Sequence, residues 1–216
     1  NYMKPLFHPT TGSHVAQFLT QPGHALLLTG PTGAGKGSVA AYIIAQLLGV
    51  EPVFLANHPH VLWLHDHEGI SIEDVRNMQK LVQLKVPGNA DFRRAIIIEQ
   101  AETMSNEAQN ALLKLLEEPP ADTVLILTAS YPGQLLPTIT SRTQHIAVLP
   151  LAQKVLEATF SDLYTKTQIT KAYFLSEGYV GLMQALLEGD EDHPLVAQIN
   201  TAKQLLAAST FERLTK

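Results

Sequence analysis

The sequence contains no cysteine among its 216 residues, and this absence removes several kinds of chemistry at once. Disulfides, thiolate zinc sites and cysteine nucleophiles are all excluded. The chain also has no excess of positive charge, since 20 acidic residues outnumber 15 basic residues and the net charge is -5. A chain of this charge has no general attraction for nucleic acid, so any DNA contact must be local or made together with more basic partners.

Long hydrophobic runs are missing as well. No apolar stretch approaches the roughly 20 residues that a membrane-spanning helix needs, and the first residues show no signal-peptide pattern. We therefore expect a cytoplasmic protein without a membrane partner. The apolar content of 45% and the charged content of 16% nevertheless predict a folded chain with a substantial core, large enough for one domain and a small satellite.

Apolar segments in the first 150 residues alternate between strand and helix patterns. Four runs predict strands, at residues 24–29, 61–64, 95–98 and 123–128. Amphipathic helices are predicted between them, one ending at Gly49 and two beginning after the N-cap residues Ser71 and Ser105. This alternation is typical of a parallel sheet covered by helices. The predicted fold class is therefore α/β, a three-layer sandwich.

Strand patterns disappear after Pro150, and the remaining sequence has a helical pattern. We place a domain boundary there. Residues 1–150 are predicted to form the α/β domain, and residues 151–206 are predicted to form a small helical lid.

A glycine-rich loop lies between the first predicted strand and the helix that follows it. The loop matches G-x-x-x-x-G-K, in which glycines let backbone N–H groups converge on phosphate oxygens while the lysine reaches the outer phosphates. The following helix adds the positive end of its dipole. The predicted nucleotide-binding residues are Gly30, Pro31, Thr32, Gly33, Ala34, Gly35, Lys36, Gly37 and Ser38. ATP or ADP is the predicted ligand, and a glycine-rich turn with an incidental lysine is the alternative.

Positions that ATP hydrolysis needs are altered. The residue after the loop lysine is normally a Ser or Thr that ligates magnesium, but here it is Gly37, and Ser38 points about 100° further around the helix. The third strand ends in Glu99 and Gln100 instead of an acidic pair, and the Gln100 amide cannot act as a base. We expect a loop that is compatible with nucleotide binding, with deficient hydrolysis and doubtful magnesium coordination. Catalysis by Glu102 instead is the alternative.

Three longer strings give the sequence a family resemblance. They are I-E-Q-A-E-T-M at residues 98–104, N-A-L-L-K-L-L-E-E-P-P at 110–120 and L-L-P-T-I-T-S-R-T-Q at 135–144. These strings resemble the bacterial DNA polymerase III clamp-loader family of AAA+ ATPases, and within it the delta-prime subunits more than the gamma/tau subunits. The resemblance runs from about residue 24 to residue 150 and continues more weakly into the helical part.

The resemblance implies a P-loop AAA+ nucleotide-binding domain, a helical lid and a C-terminal collar. Residues 207–216 would be the start of that collar, and we expect the sequence to be a fragment that ends shortly after the lid. The implied partners are other clamp-loader subunits in a hetero-pentamer, together with the sliding clamp and the primer–template DNA on which the pentamer places it.

The resemblance also implies roles for single residues. Arg142 matches the arginine of the family's S-R-C element, which implies an arginine finger that stabilises the γ-phosphate of a neighbouring subunit in trans. Such a finger is worth about 10³ to 10⁵ in rate. The implied function is a delta-prime-like stator that helps load the clamp, and a gamma-like motor that hydrolyses ATP is the alternative.

Two departures from the family bear on this function. Many relatives carry a four-cysteine zinc module after the phosphate-loop helix, and without cysteine no zinc is expected there. Residues 178–183 lie where active members place an arginine that senses the nucleotide, but their sequence here is G-Y-V-G-L-M. This apolar segment again indicates a subunit that does not hydrolyse ATP by itself.

A dense histidine cluster is the remaining candidate site. Its members are His58, His60, His65, His67 and Glu68. Histidines two residues apart on a strand share one face, and such side chains can ligate zinc. The cluster therefore leaves a metal-binding module open as a third function, although exposed histidine pairs without an organised fourth ligand are common.

Overall fold

The structure is a computed structural model that describes residues 5–65, 70–83, 86–88 and 91–207. Contacts divide the chain into two compact units. The first unit comprises Asn1–Pro31 and Lys36–Leu149, and the second comprises Thr32–Gly35 and Pro150–Lys216. The middle of the glycine-rich loop thus groups with the second unit. Residues 208–216, which make up most of the predicted collar segment, lie outside the described residues.

A sheet of parallel strands forms the centre of the first unit. Its strands are β1 (Ala25–Thr29), β2 (Val61–Leu64), β3 (Arg94–Ile98), β4 (Thr123–Ala129) and β5 (Gln144–Ala147). They lie in the order β2-β3-β4-β1-β5, and each neighbouring pair runs parallel. Strands β3 and β4 are buried along their whole length, as is typical of the central strands of a parallel sheet.

Helices cover this sheet. The helices described in the first unit are α1 (Pro9–Thr20), α2 (Lys36–Leu48), α3 (Ile72–Val82), α4 (Asn106–Glu117) and α5 (Pro137–Thr140). Short 3₁₀ turns occupy Pro52–Asn57, Ala101–Thr103 and Pro132–Gln134. One apolar cluster joins Met78 of α3 and Leu112 of α4 to strand residues such as Leu27 and Ile96. The α/β architecture predicted from the sequence is confirmed.

Both predicted N-caps are confirmed. The Ser71 hydroxyl accepts a hydrogen bond from the Asp74 N–H, and the Asp74 carboxylate accepts one from the Ser71 N–H, which completes a capping box. The Ser105 hydroxyl accepts from the Ala108 N–H at the start of α4. Helix α4 then ends at Glu117, just before the two prolines that the sequence places at residues 119 and 120.

Strand β5 and helix α1 are not among the elements predicted from the sequence. Strand β5 has the sequence Q-H-I-A and lies at one edge of the sheet, where Ile146 is its buried residue. With one apolar side chain facing the core, the segment lacks the apolar run by which the other strands were predicted.

The second unit contains the helices α6 (Gln153–Phe160), α7 (Lys166–Ser176), α8 (Val180–Glu188) and α9 (Pro194–Ala207). Leu182 and Ala185 of α8 pack against Val196 of α9. Between residues 5 and 207, leaving aside the gaps in the description, no helix is long and apolar enough to cross a membrane.

Candidate functional site

The glycine-rich loop connects the carboxyl end of β1 to the start of α2. Gly33 and Gly35 have positive φ angles of 83° and 89°, which glycine adopts without strain. The Lys36 ammonium donates to the Gly30 carbonyl at 2.6 Å and to the Pro31 carbonyl at 3.0 Å. The lysine therefore folds back over the first residues of its own loop.

Lys36 has a third partner outside the loop. Its ammonium donates to the Ser130 hydroxyl, immediately after β4, at 3.0 Å. The side chain is buried, with 8% of its residue surface exposed. This burial lowers the pKa of the Lys36 ammonium, although the carboxylates of Glu102 and Glu99 act in the opposite direction. A phosphate oxygen is a stronger acceptor for this ammonium than the neutral oxygens that surround it, so the loop fits a phosphate group.

The position after the lysine contains the side chain of another residue. A Cβ atom added to Gly37 would lie 2.7 Å from the Glu99 carboxylate oxygen Oε1 and 3.9 Å from Trp63. Glu99 follows β3 directly, and its carboxylate fills the space that a Ser or Thr side chain would take on α2. Ser38, the next residue, is exposed. The site thus offers the Glu99 carboxylate but no hydroxyl at residue 37, where a phosphate loop normally has the Ser or Thr that ligates magnesium.

Gln100 has an unusual backbone conformation. It has φ 50° and ψ 50°, in the left-handed region that few residues other than glycine adopt. Its N–H donates to the Thr128 hydroxyl at 3.1 Å, and its carbonyl accepts from the Thr103 hydroxyl at 2.8 Å. Its side chain is exposed. The structure therefore holds the backbone of Gln100 in place while its neutral amide provides no base.

Glu102, the alternative base, is bound to the segment after β4. Its Oε1 accepts from the backbone N–H of Ser130 at 2.6 Å and from that of Tyr131 at 3.2 Å. Its other oxygen, Oε2, is buried without a hydrogen-bond partner among the described residues. Through these contacts Glu102 links the segment after β3 to the segment after β4. Catalysis by Glu102 stays a hypothesis.

Arg142 lies at the other end of the sheet. It lies two residues after the end of α5. It lines a cavity of about 470 Å³ together with Ala25 at the start of β1, Thr123 at the start of β4 and Gln144 at the start of β5. Lys36, in contrast, lies beside the residue that follows the carboxyl end of β4. A strand of five residues spans about 16 Å, so Arg142 and Lys36 of one chain cannot contact the same phosphate group.

The Arg142 side chain is partly exposed and has two partners. Its Nη2 lies 2.9 Å from Oε1 of Glu117, at the end of α4, and its Nη1 donates to the Thr138 carbonyl at 3.0 Å. The exposed fractions of the Arg142 and Glu117 side chains are 36% and 52%. The guanidinium is thus oriented and at the same time accessible from outside the chain.

Gln109 connects several of these segments and is not among the predicted site residues. It is 1% exposed, and its side-chain amide donates to the Met104 and Gln134 carbonyls at 3.2 and 3.4 Å. The Leu136 N–H donates back to its oxygen at 2.8 Å. A polar residue on the apolar stripe of α4, one turn before Leu112, is the signal that could have identified it.

The middle of the loop has its own neighbours within the second unit. The Leu182 N–H, in the first turn of α8, donates to the Gly33 carbonyl at 2.7 Å. A Cβ atom on Gly181 would lie 2.7 Å from that same oxygen and 2.9 Å from the Gly35 nitrogen. The segment that the family resemblance associates with a sensing arginine therefore meets the loop backbone to backbone, at a distance that leaves no room for a side chain at residue 181.

The histidine cluster does not assemble into a metal site in the described residues. The His58 ring accepts a hydrogen bond from the His60 N–H at 3.2 Å, and the two rings lie 5.8 Å apart. His67 and Glu68 lie outside the described residues. Among the residues that are described, no three His, Cys, Asp or Glu side chains are grouped to hold a metal ion.

Solved structures of other proteins resemble the fold. A gamma subunit-related protein of DNA polymerase III from Thermotoga maritima has a TM-score of 0.57 and 22% identity, with 77% of this chain and 58% of that chain covered. The RuvB Holliday junction branch migration motor of Thermotoga maritima has a TM-score of 0.62 and 14% identity, with 92% of this chain and 68% of that chain covered. At these identities the likeness shows the fold alone, and it confirms the predicted P-loop ATPase fold class.

Curated proteins resemble the sequence. DNA polymerase III subunit delta' of Pseudomonas aeruginosa is 38% identical over 156 residues, which cover 63% of this chain and 47% of that protein. Subunit delta' of Bacillus subtilis is 33% identical, with 62% of this chain and 44% of that protein covered. DNA polymerase III subunit gamma/tau of Mycobacterium tuberculosis is 30% identical, with 72% and 29% covered. The matched region thus spans about half the length of the delta' relatives.

The chain also matches a protein-family model. The model described as DNA polymerase III, delta subunit, matches residues 19–152. This match confirms the resemblance predicted from the three sequence strings. Because it spans more than half of the 216 residues, the chain belongs to the DNA polymerase III delta subunit family.

Proposed function

We propose that the chain is a delta-prime-like stator of the DNA polymerase III clamp loader. It retains a nucleotide-type loop, hydrolyses ATP poorly or not at all, and supplies Arg142 to the ATP of a neighbouring subunit. Residues 1–150 are its nucleotide-binding domain and residues 151–206 its lid. Its curated relatives are named as subunits of DNA polymerase III, which supports a role in DNA replication and a cytoplasmic location.

The observation that carries this proposal is the separation of Arg142 from the phosphate loop. Arg142 lines a cavity at the amino ends of β1 and β4, whereas Lys36 bonds to Ser130 after the carboxyl end of β4. An arginine that acts on a γ-phosphate from this position has to act on a phosphate held by another subunit. Its partly exposed guanidinium supports such a contact.

The phosphate loop supports the other half of the proposal. Positive φ angles at Gly33 and Gly35 and the buried ammonium of Lys36 suit the binding of ATP or ADP. Hydrolysis further requires a held magnesium ion and a base. Gly37 supplies no hydroxyl, and the Gln100 amide supplies no base, so nucleotide can be held here without turnover.

The partners follow from the proposed role. We infer that the chain assembles with other clamp-loader subunits in a hetero-pentamer and reaches the sliding clamp and primer–template DNA through that assembly. The net charge of -5 supports an indirect contact with DNA, since the more basic contacts would come from partners.

ATP turnover by the purified full-length protein tests this function. Wild-type protein is expected to show no turnover that depends on Lys36, so Lys36→Ala should leave the measured rate unchanged. Replacing both defective positions, with Gly37→Ser and Gln100→Glu together, is expected to raise the rate. Turnover of several ATP per second in the wild type, abolished by Lys36→Ala, would contradict the stator and favour a motor.

A gamma-like motor is the second candidate function. The position of Glu99, with its carboxylate in the space beside Gly37, favours it, because this oxygen lies near the loop lysine. A gamma/tau relative is also 30% identical to the chain. If the motor is correct, Glu99→Gln will reduce ATP turnover as strongly as Lys36→Ala does.

A further inference from the structure

We propose that Glu117 is a positioning residue for Arg142: its carboxylate fixes the guanidinium in the orientation from which Arg142 reaches the phosphate of the neighbouring subunit. The inference rests on the proposed function of Arg142. It adds a second residue to that function and gives the end of α4 a part in it.

The guanidinium is held at two different nitrogens. Its Nη2 lies 2.9 Å from Oε1 of Glu117, and its Nη1 donates to the Thr138 carbonyl at 3.0 Å. Because the guanidinium is planar and rigid, two anchors on separate nitrogens define the direction of the whole group. Arginine has five N–H donors, so these two bonds leave three donors for a phosphate.

The two anchors come from elements whose backbones are fixed. Glu117 is the last residue of α4, and the preceding residues Leu115 and Leu116 are 6% and 9% exposed. The carbonyl of Thr138 belongs to α5, whose Ile139 is fully buried. The orientation of the guanidinium is therefore tied to the core of the first unit.

Electrostatics explain why a carboxylate at this position needs the arginine. The carbonyl end of a helix carries a partial negative charge, so Glu117 at the end of α4 is in an unfavourable place. Glu118 adds a second negative charge beside it. The Arg142 cation offsets this accumulation, so both members of the pair favour the observed contact.

The ion pair between Arg142 and Glu117 is weak enough to orient the guanidinium without preventing it from binding a phosphate. Both side chains are partly exposed, and exposed ion pairs contribute little to stability. A phosphate with more negative charge than a single carboxylate can therefore recruit the remaining donors without first breaking a strong bond. Removing the Glu117 carboxylate takes away the orientation of the guanidinium but leaves the guanidinium itself. We therefore expect ATP hydrolysis at the neighbouring subunit to slow about three- to fivefold, far less than when the arginine is removed.

The test uses the full-length protein in a reconstituted clamp loader with sliding clamp, primed DNA and ATP. Hydrolysis at the neighbouring site is isolated by replacing the phosphate-loop lysines of the remaining ATP-binding subunits. Glu117→Ala is expected to lower kcat about three- to fivefold with little change in KM, because the contact acts in the transition state. Glu117→Gln keeps an oxygen acceptor and is expected to lose less.

Glu118→Ala is the matched control. It removes the same charge from the adjacent residue, for which the described part of the chain shows no ion pair, and it is expected to leave kcat unchanged. Arg142→Ala is measured alone and together with Glu117→Ala. If Glu117 acts through Arg142, the second substitution has no further effect on single-turnover hydrolysis in the Arg142→Ala background.

Each outcome decides the proposal. Equal rates for Glu117→Ala and Glu118→Ala, a higher rate for Glu117→Ala, or the same fold-loss in the Arg142→Ala background would each overturn positioning by Glu117. If Arg142→Ala itself leaves hydrolysis unchanged, the proposed function of Arg142 fails too, and the two failures are thereby distinguished. Gel filtration of each variant confirms that the loader has assembled.

Discussion

Replacing Gly181 with alanine is expected to destabilise the second unit. The added Cβ atom would lie 2.7 Å from the Gly33 carbonyl oxygen, 2.9 Å from the Gly35 nitrogen and 3.0 Å from the Gly35 Cα. All three are backbone atoms, which cannot rotate away as the end of a side chain can. The start of α8 therefore has to move off the glycine-rich loop.

Two opposing contributions determine the size of this effect. Overpacking of a close contact costs about 1–3 kcal/mol, whereas exchanging glycine for alanine within a helix stabilises it by about 0.5–1 kcal/mol. The net loss in free energy of unfolding is expected to be about 1 kcal/mol, with the overpacking at Gly33 and Gly35 as the larger contribution. For a chain of this length, that corresponds to a decrease in Tm of about 2–4 °C.

Thermal unfolding followed by circular dichroism measures the loss, and amide hydrogen exchange locates it. The Leu182 N–H, which donates to the Gly33 carbonyl, is expected to exchange faster in Gly181→Ala. Gly133→Ala is the matched control, because a Cβ atom at Gly133 would meet nothing within 4 Å. The predicted clash at Gly181 is wrong if Gly181→Ala is at least as stable as wild type and the exchange of the Leu182 N–H is unchanged.

Three further changes test other parts of the structure. Ser71→Ala is expected to lower the free energy of unfolding by about 1 kcal/mol at neutral pH because α3 loses its N-cap. Hydrogen bonds from Ser71 lower the pKa of the Asp74 carboxyl. The stabilisation from these bonds is therefore present above the ordinary pKa of an aspartate and disappears as the pH falls through the lowered pKa of Asp74. Urea unfolding should accordingly show a smaller effect of Ser71→Ala in strong acid. Gln109→Met is expected to cost about 2–4 kcal/mol in thermal unfolding, because buried backbone groups lose their partner; a loss below about 0.5 kcal/mol would contradict its linking role. Gly37→Ser displaces only the flexible end of the Glu99 side chain, so it should alter the free energy of unfolding by about 1 kcal/mol or less. The added hydroxyl should make nucleotide binding more dependent on magnesium in calorimetric titrations. Identical titrations of this variant with and without magnesium would contradict this.

The fold could be predicted where one segment carries enough information by itself. Strand β3 has three consecutive isoleucines ending at Ile98, and helix α3 has a serine, an acidic residue three positions later and apolar residues at helical spacing. Strand β5 has no such pattern, because its Gln144 and His145 are exposed. It is a strand because it pairs with β1, where His145 lies opposite Leu27. That partner is more than a hundred residues away in the sequence.

The candidate site was predictable in its parts but not in its arrangement. Sequence strings alone identified Lys36, Glu99 and Arg142 as candidates, and their roles stay predictions. The partners of these residues depend on strand order: Ser130 reaches Lys36 because β4 lies beside β1. The contact of Arg142 with Glu117 likewise joins segments that are apart in the sequence, and no local pattern predicts either pair.

The proposed role of Arg142 is tested most directly by comparing Arg142→Ala with Lys36→Ala in a reconstituted clamp loader in which only this chain and the neighbouring subunit keep their phosphate-loop lysines. We expect Arg142→Ala to reduce ATP hydrolysis by about 10³-fold or more, while Lys36→Ala leaves it unchanged. If Lys36→Ala abolishes turnover and Arg142→Ala does not affect it, the chain is a motor that acts on its own nucleotide, and the proposed role of Arg142 is contradicted.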